Sequence, residues 1–178
     1  GQVWKDEVYR QLIEEFGLRS WAMEELLAVY ETTFCGFCEP RSGVDDALGE
    51  LKAHYRLGLI SNGKTPFQQR NFRALGCADD FDSVLVSEAV NLRKPDSRIF
   101  HLGCSELGVS PGQAVFVGDN PSADIGGGRG AGLKTIFIPS HTYPVCESAD
   151  ATCSDLRTLP GLIAKLAAAS RAPRGTDA

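Results

Sequence analysis

Three short clusters of polar residues have the types and spacing to handle a phosphate group. Ser61-Asn62-Gly63 offers a hydroxyl, a side-chain amide and a glycine N–H. All three donate hydrogen bonds, and a following helix start would add its positive dipole end. Arg93-Lys94-Pro95-Asp96 sets a lysine against a proline. An ammonium held there can neutralise a phosphate and the carboxylates gathered around it. Gly118-Asp119-Asn120-Pro121-Ser122-Ala123-Asp124 places two acids five residues apart. That pair suits Mg2+, a hard cation that shares oxygen ligands with substrate phosphate. Each cluster also has a plain structural reading: Ser-Asn-Gly is a common turn, a lone lysine is solvated, and either aspartate can cap a helix. What separates the two readings is the kind of element each cluster follows.

Each follows a short apolar run. Arg56-Leu57-Gly58-Leu59-Ile60 precedes the first cluster, Ser83-Val84-Leu85-Val86 the second and Ala114-Val115-Phe116-Val117 the third. A fourth run is Thr135-Ile136-Phe137-Ile138. Helical patterns separate them: through Leu48 and Leu51, from Phe67 to Leu75, from Ser97 to Leu107, in a short Gly-rich turn, and from about Leu159 to Ala168. Alternating strands and helices predict an α/β fold, a Rossmann-like parallel sheet with helices on both faces. In such sheets the ligand sits beyond the carboxyl ends of the strands, where all three clusters fall.

The first 39 residues differ, reading as helices alone. Val8, Leu12, Ile13 and Phe16 recur at helical spacing and Gly17 stops the run. Ser20 is an N-cap for a second helix striped by Trp21, Leu26, Leu27 and Tyr30. Trp4, Trp21 and Phe34 read as packing between helices. Pro40-Arg41-Ser42-Gly43 then breaks the pattern. The expected organisation is a partial helical cap at 1–39, an α/β core at 40–169 and a disordered tail at 170–178.

Bulk properties exclude several classes. The chain has 178 residues, 43% hydrophobic and 23% charged, with a net charge of −5 and no long basic run. A nucleic-acid-binding face is disfavoured, while a local cationic pocket for phosphate is not. No apolar stretch reaches the roughly 20 residues of a membrane span. The start, Gly1-Gln2-Val3-Trp4-Lys5-Asp6, lacks the pattern of a signal peptide. The cysteines Cys35, Cys38, Cys77, Cys104, Cys146 and Cys153 therefore read as reduced thiols of a cytoplasmic protein. Cys35-Gly36-Phe37-Cys38 is a C-x-x-C without a second half, and reads as small apolar residues near a helix end. Oligomeric state is not legible.

The order Ser-Asn-Gly, Arg-Lys-Pro-Asp, Gly-Asp-x-x-x-x-Asp, each after a strand, resembles the second, third and fourth motifs of the haloacid dehalogenase-like (HAD) hydrolases. Phe81-Asp82-Ser83-Val84-Leu85-Val86-Ser87-Glu88 and Ala131-Gly132-Leu133-Lys134-Thr135 are similar to the branch with a helical cap. The resemblance implies Mg2+-dependent hydrolysis of a small phosphorylated metabolite through an aspartyl-phosphate. It assigns Ser61 and Asn62, with Gly63, to the phosphoryl group and Lys94 to that group and the nucleophile. It assigns Asp119 to Mg2+, with Asp124 as second ligand or as orienter of Asp119. The family's first motif, an apolar strand ending in Asp-x-Asp-x-Thr that lies mid-sheet, has no counterpart here. Asp80-Phe81-Asp82 has no apolar strand before it, and Asp45-Asp46 lies at a helix start. With Gly1 in place of methionine, the expectation is a fragment or truncated form of a phosphohydrolase. The alternatives are an inactive HAD-like binding domain and, from the match of Gly58-Leu59-Ile60-Ser61-Asn62-Gly63-Lys64-Thr65 to G-x-x-x-x-G-K-[ST], a P-loop NTPase. Gly126-Gly127-Gly128-Arg129-Gly130-Ala131 contains G-x-G-x-x-A but reads as close helix packing rather than dinucleotide binding.

Overall fold

Short apolar strands can be buried on both faces only if helices cover them, and the structure, a computed structural model describing residues 5–18 and 22–171, shows how this is done. Its elements are α1 (Lys5–Glu15), α2 (Met23–Thr33), α3 (Val44–Lys52), β1 (Gly58–Ser61), α4 (Phe67–Ala74), β2 (Ser83–Val86), α5 (Ser87–Val90), α6 (Ser97–Glu106), β3 (Val115–Gly118), α7 (Gly127–Gly130), β4 (Lys134–Phe137), β5 (Ala151–Thr152) and α8 (Leu159–Arg171). The strands form two parallel ladders, β1 with β2, and β3-β4-β5 in that order. Ser61 lies opposite Val86 and Gly118 opposite Phe137, so the strand carboxyl ends line up within each ladder.

α6 joins the two ladders. Asp96 caps it by accepting the Arg98 N–H at 3.0 Å, and Gly108, at φ +65°, ends it in the left-handed conformation. Ile99, Phe100, Gly103 and Cys104 fall on one face and are buried. Gly103 lies so close to Ile60 and Leu85 that a Cβ there would sit 3.1 Å from Ile60 Cδ1, which seats the helix on β1 and β2. Phe100 meets Phe116 of β3 edge-to-face with centroids 4.9 Å apart. A fully buried ring of this kind contributes roughly 2–3 kcal/mol by burial alone. The opposite face of the second ladder is covered by α3 and α8, whose Leu51 and Leu159 pack with Ile136. Helices on both faces of parallel strands are the α/β architecture expected from the sequence.

Several boundaries differ from the sequence reading. The first strand begins at Gly58 because Leu57 is held by Asp82, which bonds both its N–H and its C=O at 2.8 Å. β3 and β4 are displaced by one residue each, to Val115–Gly118 and Lys134–Phe137. β5 was not foreseen: two residues carry no periodicity, and it is placed by the Cys153 N–H donating to Phe137 O at 2.8 Å. α8 runs to Arg171, so 170–171 are helical and the rest of the expected tail lies outside the described residues, as do Trp4, Ser20 and Trp21. The N-terminal helices meet the core through aromatic contacts: Tyr30 and Phe34 each lie 5.5 Å from Phe67 at the start of α4. Among the described residues no helix is long and apolar enough to cross a membrane.

Candidate active site

Lys94 is the residue on which the strand ends converge. Its Nζ donates to Ile60 O of β1 at 2.8 Å and pairs with Asp124 Oδ1 at 2.7 Å. The ammonium also lies 5.1 Å from the centre of the Phe116 ring on β3. Both side chains of the ion pair are close to nine-tenths buried, at 11% and 8% exposure. One cation thus ties the carboxyl end of β1 to the segment that follows β3.

Two devices hold the lysine in place. The Asn62 side chain clamps its backbone, donating from Nδ2 to Lys94 O at 2.9 Å and accepting the Lys94 N–H at 3.0 Å. Asp124 is in turn fixed by the Asn120 N–H, which donates to Oδ2 at 3.0 Å. Asn120 caps the Pro121–Gly126 turn by accepting from the Ser122 and Ala123 N–H groups at 3.1 and 2.8 Å. The turn must pass very close to β3: a Cβ on Gly118 would stand 2.5–2.6 Å from three Asp124 side-chain atoms. Gly127 and Gly128 follow for a similar reason, since a Cβ on Gly127 would lie 2.7 Å from Phe100 and 2.9 Å from Pro95 Cα. This close packing is the role expected of the Gly-rich run.

The remaining residues of the three clusters are placed as follows. Ser61, half-buried at the end of β1, has no hydrogen-bond partner for its hydroxyl among the described residues. Asp119 is exposed directly after β3, its carboxylate likewise without a partner there. The Gly63 N–H is already engaged, donating to Ser87 Oγ at 3.0 Å, while the Ser87 hydroxyl bonds Gly63 O at 3.2 Å. The Thr65 N–H donates to Glu88 at 2.7 Å. The loop after β1 is therefore anchored to the start of α5 by Ser87 and Glu88, two residues to which the motifs assign no role. Their signal was available, because both stand directly after the apolar run Ser83–Val86. The same geometry argues against a P-loop: Gly58–Ser61 is committed to the β1 ladder, and the Gly63 and Thr65 N–H groups face side chains rather than open space.

Among the described residues no three His, Cys, Asp or Glu side chains gather to hold a metal. Mg2+ does not require that, since it is held by one or two carboxylates together with waters and substrate phosphate. The free carboxylate of Asp119 fits such a ligand. Asp124, with both oxygens engaged, fits as the group that fixes the turn and Lys94.

Comparison with known proteins identifies the family. The family model for haloacid dehalogenase-like hydrolase matches residues 2–132. Human N-acylneuraminate-9-phosphatase is 37% identical over 116 residues, 65% of this chain and 47% of that protein. Phosphoserine phosphatase of Thermus thermophilus is 30% identical over 161 residues, 86% of this chain and 62% of that protein. The chain thus spans about half to three-fifths of the length of these relatives. Among solved structures, a 2-haloacid dehalogenase from Pseudomonas syringae superposes with TM-score 0.62 at 26% identity, covering 90% of this chain and 71% of that one. The HAD-hydrolase YfnB of Bacillus subtilis gives TM-score 0.75 at 22% identity, covering 91% and 73%. With the family model matching residues 2–132 and the parallel α/β architecture in agreement, the chain belongs to the haloacid dehalogenase-like hydrolases.

Proposed function

We propose that this chain carries the phosphate-handling part of a Mg2+-dependent phosphohydrolase acting on a small phosphorylated metabolite. The observation that carries the reading is the buried Lys94 ammonium, held between Ile60 O and Asp124 at the strand carboxyl ends. A cation in so dry a place is suited to balancing a phosphoryl group and the carboxylate that attacks it. The names of the relatives, phosphatases of acylneuraminate 9-phosphate and of phosphoserine, support the same chemistry.

In this reading the Ser61 hydroxyl donates to a phosphoryl oxygen. Asn62 positions Lys94 through its backbone instead of touching the substrate, and Gly63 shapes the loop that Ser87 anchors. Asp119 holds Mg2+, and Asp124 keeps Lys94 aimed at the site. Mg2+ bound there would neutralise charge building on the phosphoryl oxygens. The attacking carboxylate belongs to an Asp-x-Asp strand that this sequence does not contain. β1 and β3 each pair with a strand on one side alone among the described residues, which leaves an edge of each for that strand. The helices before Pro40 form part of a cap, and 40–169 form the core. Six free cysteines support a reducing, cytoplasmic setting.

The test is release of phosphate from an aryl phosphate with Mg2+, by the chain alone and by the chain extended with an apolar strand ending in Asp-x-Asp. The expected result is turnover by the extended form only, lost in Asp119→Asn and Lys94→Met variants. A folded extended form that binds phosphate but never releases it from the ester would overturn hydrolysis and leave an inactive phosphate-binding domain.

A further inference from the structure

Two clefts away from Lys94 are lined by basic side chains, and they differ in what the cations face. In a cleft of about 240 Å³, Arg129 and Lys134 both turn to Asp150, at 3.4 and 3.8 Å. One carboxylate answers both charges, and it also accepts the Thr135 N–H at 2.8 Å, so this cluster closes the amino end of β4. The other cleft, of about 400 Å³, is lined by Arg41, Ser42, Ser154 and Arg157 together with Asp155 and Ile138.

Here only one of the two cations has a carboxylate: Arg157 pairs with Asp155, and Arg41 is left without one among the described residues. Arg41 donates to Pro139 O at 3.3 Å and has no carboxylate partner among the described residues, leaving most of its five N–H donors open. Arg157 donates to Ser42 Oγ at 3.2 Å. Its stem crosses Gly43 so closely that a Cβ there would lie 2.9 Å from Arg157 Cγ, which fixes the direction of the side chain. Asp155 lies 3.6 Å from Arg157 Nη1, while its other oxygen accepts the Arg157 N–H at 3.0 Å and caps the Leu156–Thr158 turn. The Ser42 hydroxyl keeps its proton to donate, and Ser154 has no partner among the described residues. Two guanidinium groups and two hydroxyls thus share one cleft with a single carboxylate, which pairs with Arg157 and leaves the Arg41 charge unmatched.

The position has consequences for the site. The Ile138 N–H donates to Gly118 O at 2.9 Å, which continues the ladder and sets Ile138 beside Asp119. Cys153 continues β5 beside Ile138 in the same way. At about 4.8 Å per strand, the cleft lies roughly 10 Å from Asp119 along the row of carboxyl ends.

We propose that this cleft is a second oxyanion site, taking a phosphate or carboxylate group between Arg41 and Arg157. The anion is supplied either by a second acidic group of the phosphorylated substrate or by a free anion. The first source rests on the phosphohydrolase reading; oxyanion binding itself does not.

The probe is inorganic sulfate, titrated into the 15N-labelled full chain at low ionic strength and followed at the Ser42, Ser154 and Arg157 N–H groups and the arginine Nε–H groups. Saturable shifts are expected there, weakened about tenfold in Arg41→Gln and in Arg157→Gln, which keeps the stem over Gly43. Lys94→Met should leave them unchanged. Absence of saturable shifts, or shifts indifferent to both arginines, would overturn the site. A bisphosphate with groups roughly 10 Å apart then identifies the source. Binding at least tenfold tighter than a monophosphate, with the gain lost in both Arg157→Gln and Lys94→Met, assigns the site to the substrate. Equal binding of the two assigns it to a free anion. Sulfate binding in a chain whose extended form fails to hydrolyse esters keeps this site and removes only the phosphohydrolase reading.

Discussion

Replacing Lys94 by methionine removes the ammonium while keeping an unbranched side chain of similar length in the same space. The Asp124 carboxylate, 8% exposed, then loses its partner at 2.7 Å and keeps only the Asn120 N–H. The lost attraction is about 6 kcal/mol at an effective dielectric near 20. The desolvation of lysine that the variant no longer bears offsets part of it. Removing one partner of a buried ion pair leaves a net loss of about 3–5 kcal/mol. At about 3 °C per kcal/mol for a chain of this size, the unfolding midpoint falls by roughly 9–15 °C. The decisive assay is a double-mutant cycle in urea with Lys94→Met, Asp124→Asn and both together. Once the orphaned charge is gone the double variant should recover, giving a coupling of about 2–3 kcal/mol. A Lys94→Met protein within about 1 kcal/mol of the parent, or strictly additive variants, would show that the pair does not organise the strand ends.

Gly118→Ala should lose about 1–3 kcal/mol, because its Cβ would stand 2.5–2.6 Å from Asp124 atoms and push that side chain off Lys94; combined with Lys94→Met in a urea titration, the loss should be less than additive. Asp96 offers a test by pH. Side-chain bonds from Arg98, then the Arg98 N–H, hold its carboxyl at about 2, below the ordinary 3.8. A depressed folded value contributes stability above the unfolded pKa, lost as pH falls through the folded one. The midpoint difference between parent and Asp96→Asn should therefore be constant above pH 4 and shrink between pH 4 and 2, read by thermal unfolding across that range.

Much of the fold was legible because periodicity and punctuation agreed. Ile99, Phe100, Gly103 and Cys104 share a face whichever way α6 is drawn, and Asp96 and Gly108 mark its ends. β5 was not, since Ala151–Thr152 is too short for alternation and depends on β4 being present to pair with. At the site, residue types gave the neighbourhood and not the division of labour. Asn62 has the donors of a phosphate ligand, but the backbone of Lys94 takes both ends of its amide. Gly63 has a free N–H in sequence, but Ser87, twenty-four residues on, accepts it. Nothing local encodes either bond. Each depends on β1 and β2 pairing in a register that puts Ser61 opposite Val86.

That dependence explains why Lys94 is placed as it is. A loop lysine would be solvated unless several residues fixed it at once, and here four do. Asn62 from the end of β1 holds its backbone, Ile60 of β1 and Asp124 after β3 hold its ammonium, and Phe116 of β3 lies beneath it. The two ladders share no strand pairing among the described residues, so their relation rests on side chains: α6 packs against both, Leu57 before β1 joins the Ile136 cluster, and this cation bridges them. An acidic strand entering between β1 and β3 would bring a carboxylate to an ammonium already desolvated and aimed. The cost of burying the lysine is met in the fold, before any substrate arrives. If Lys94 balances a reacting phosphoryl as proposed, it need not reorganise when charge develops there.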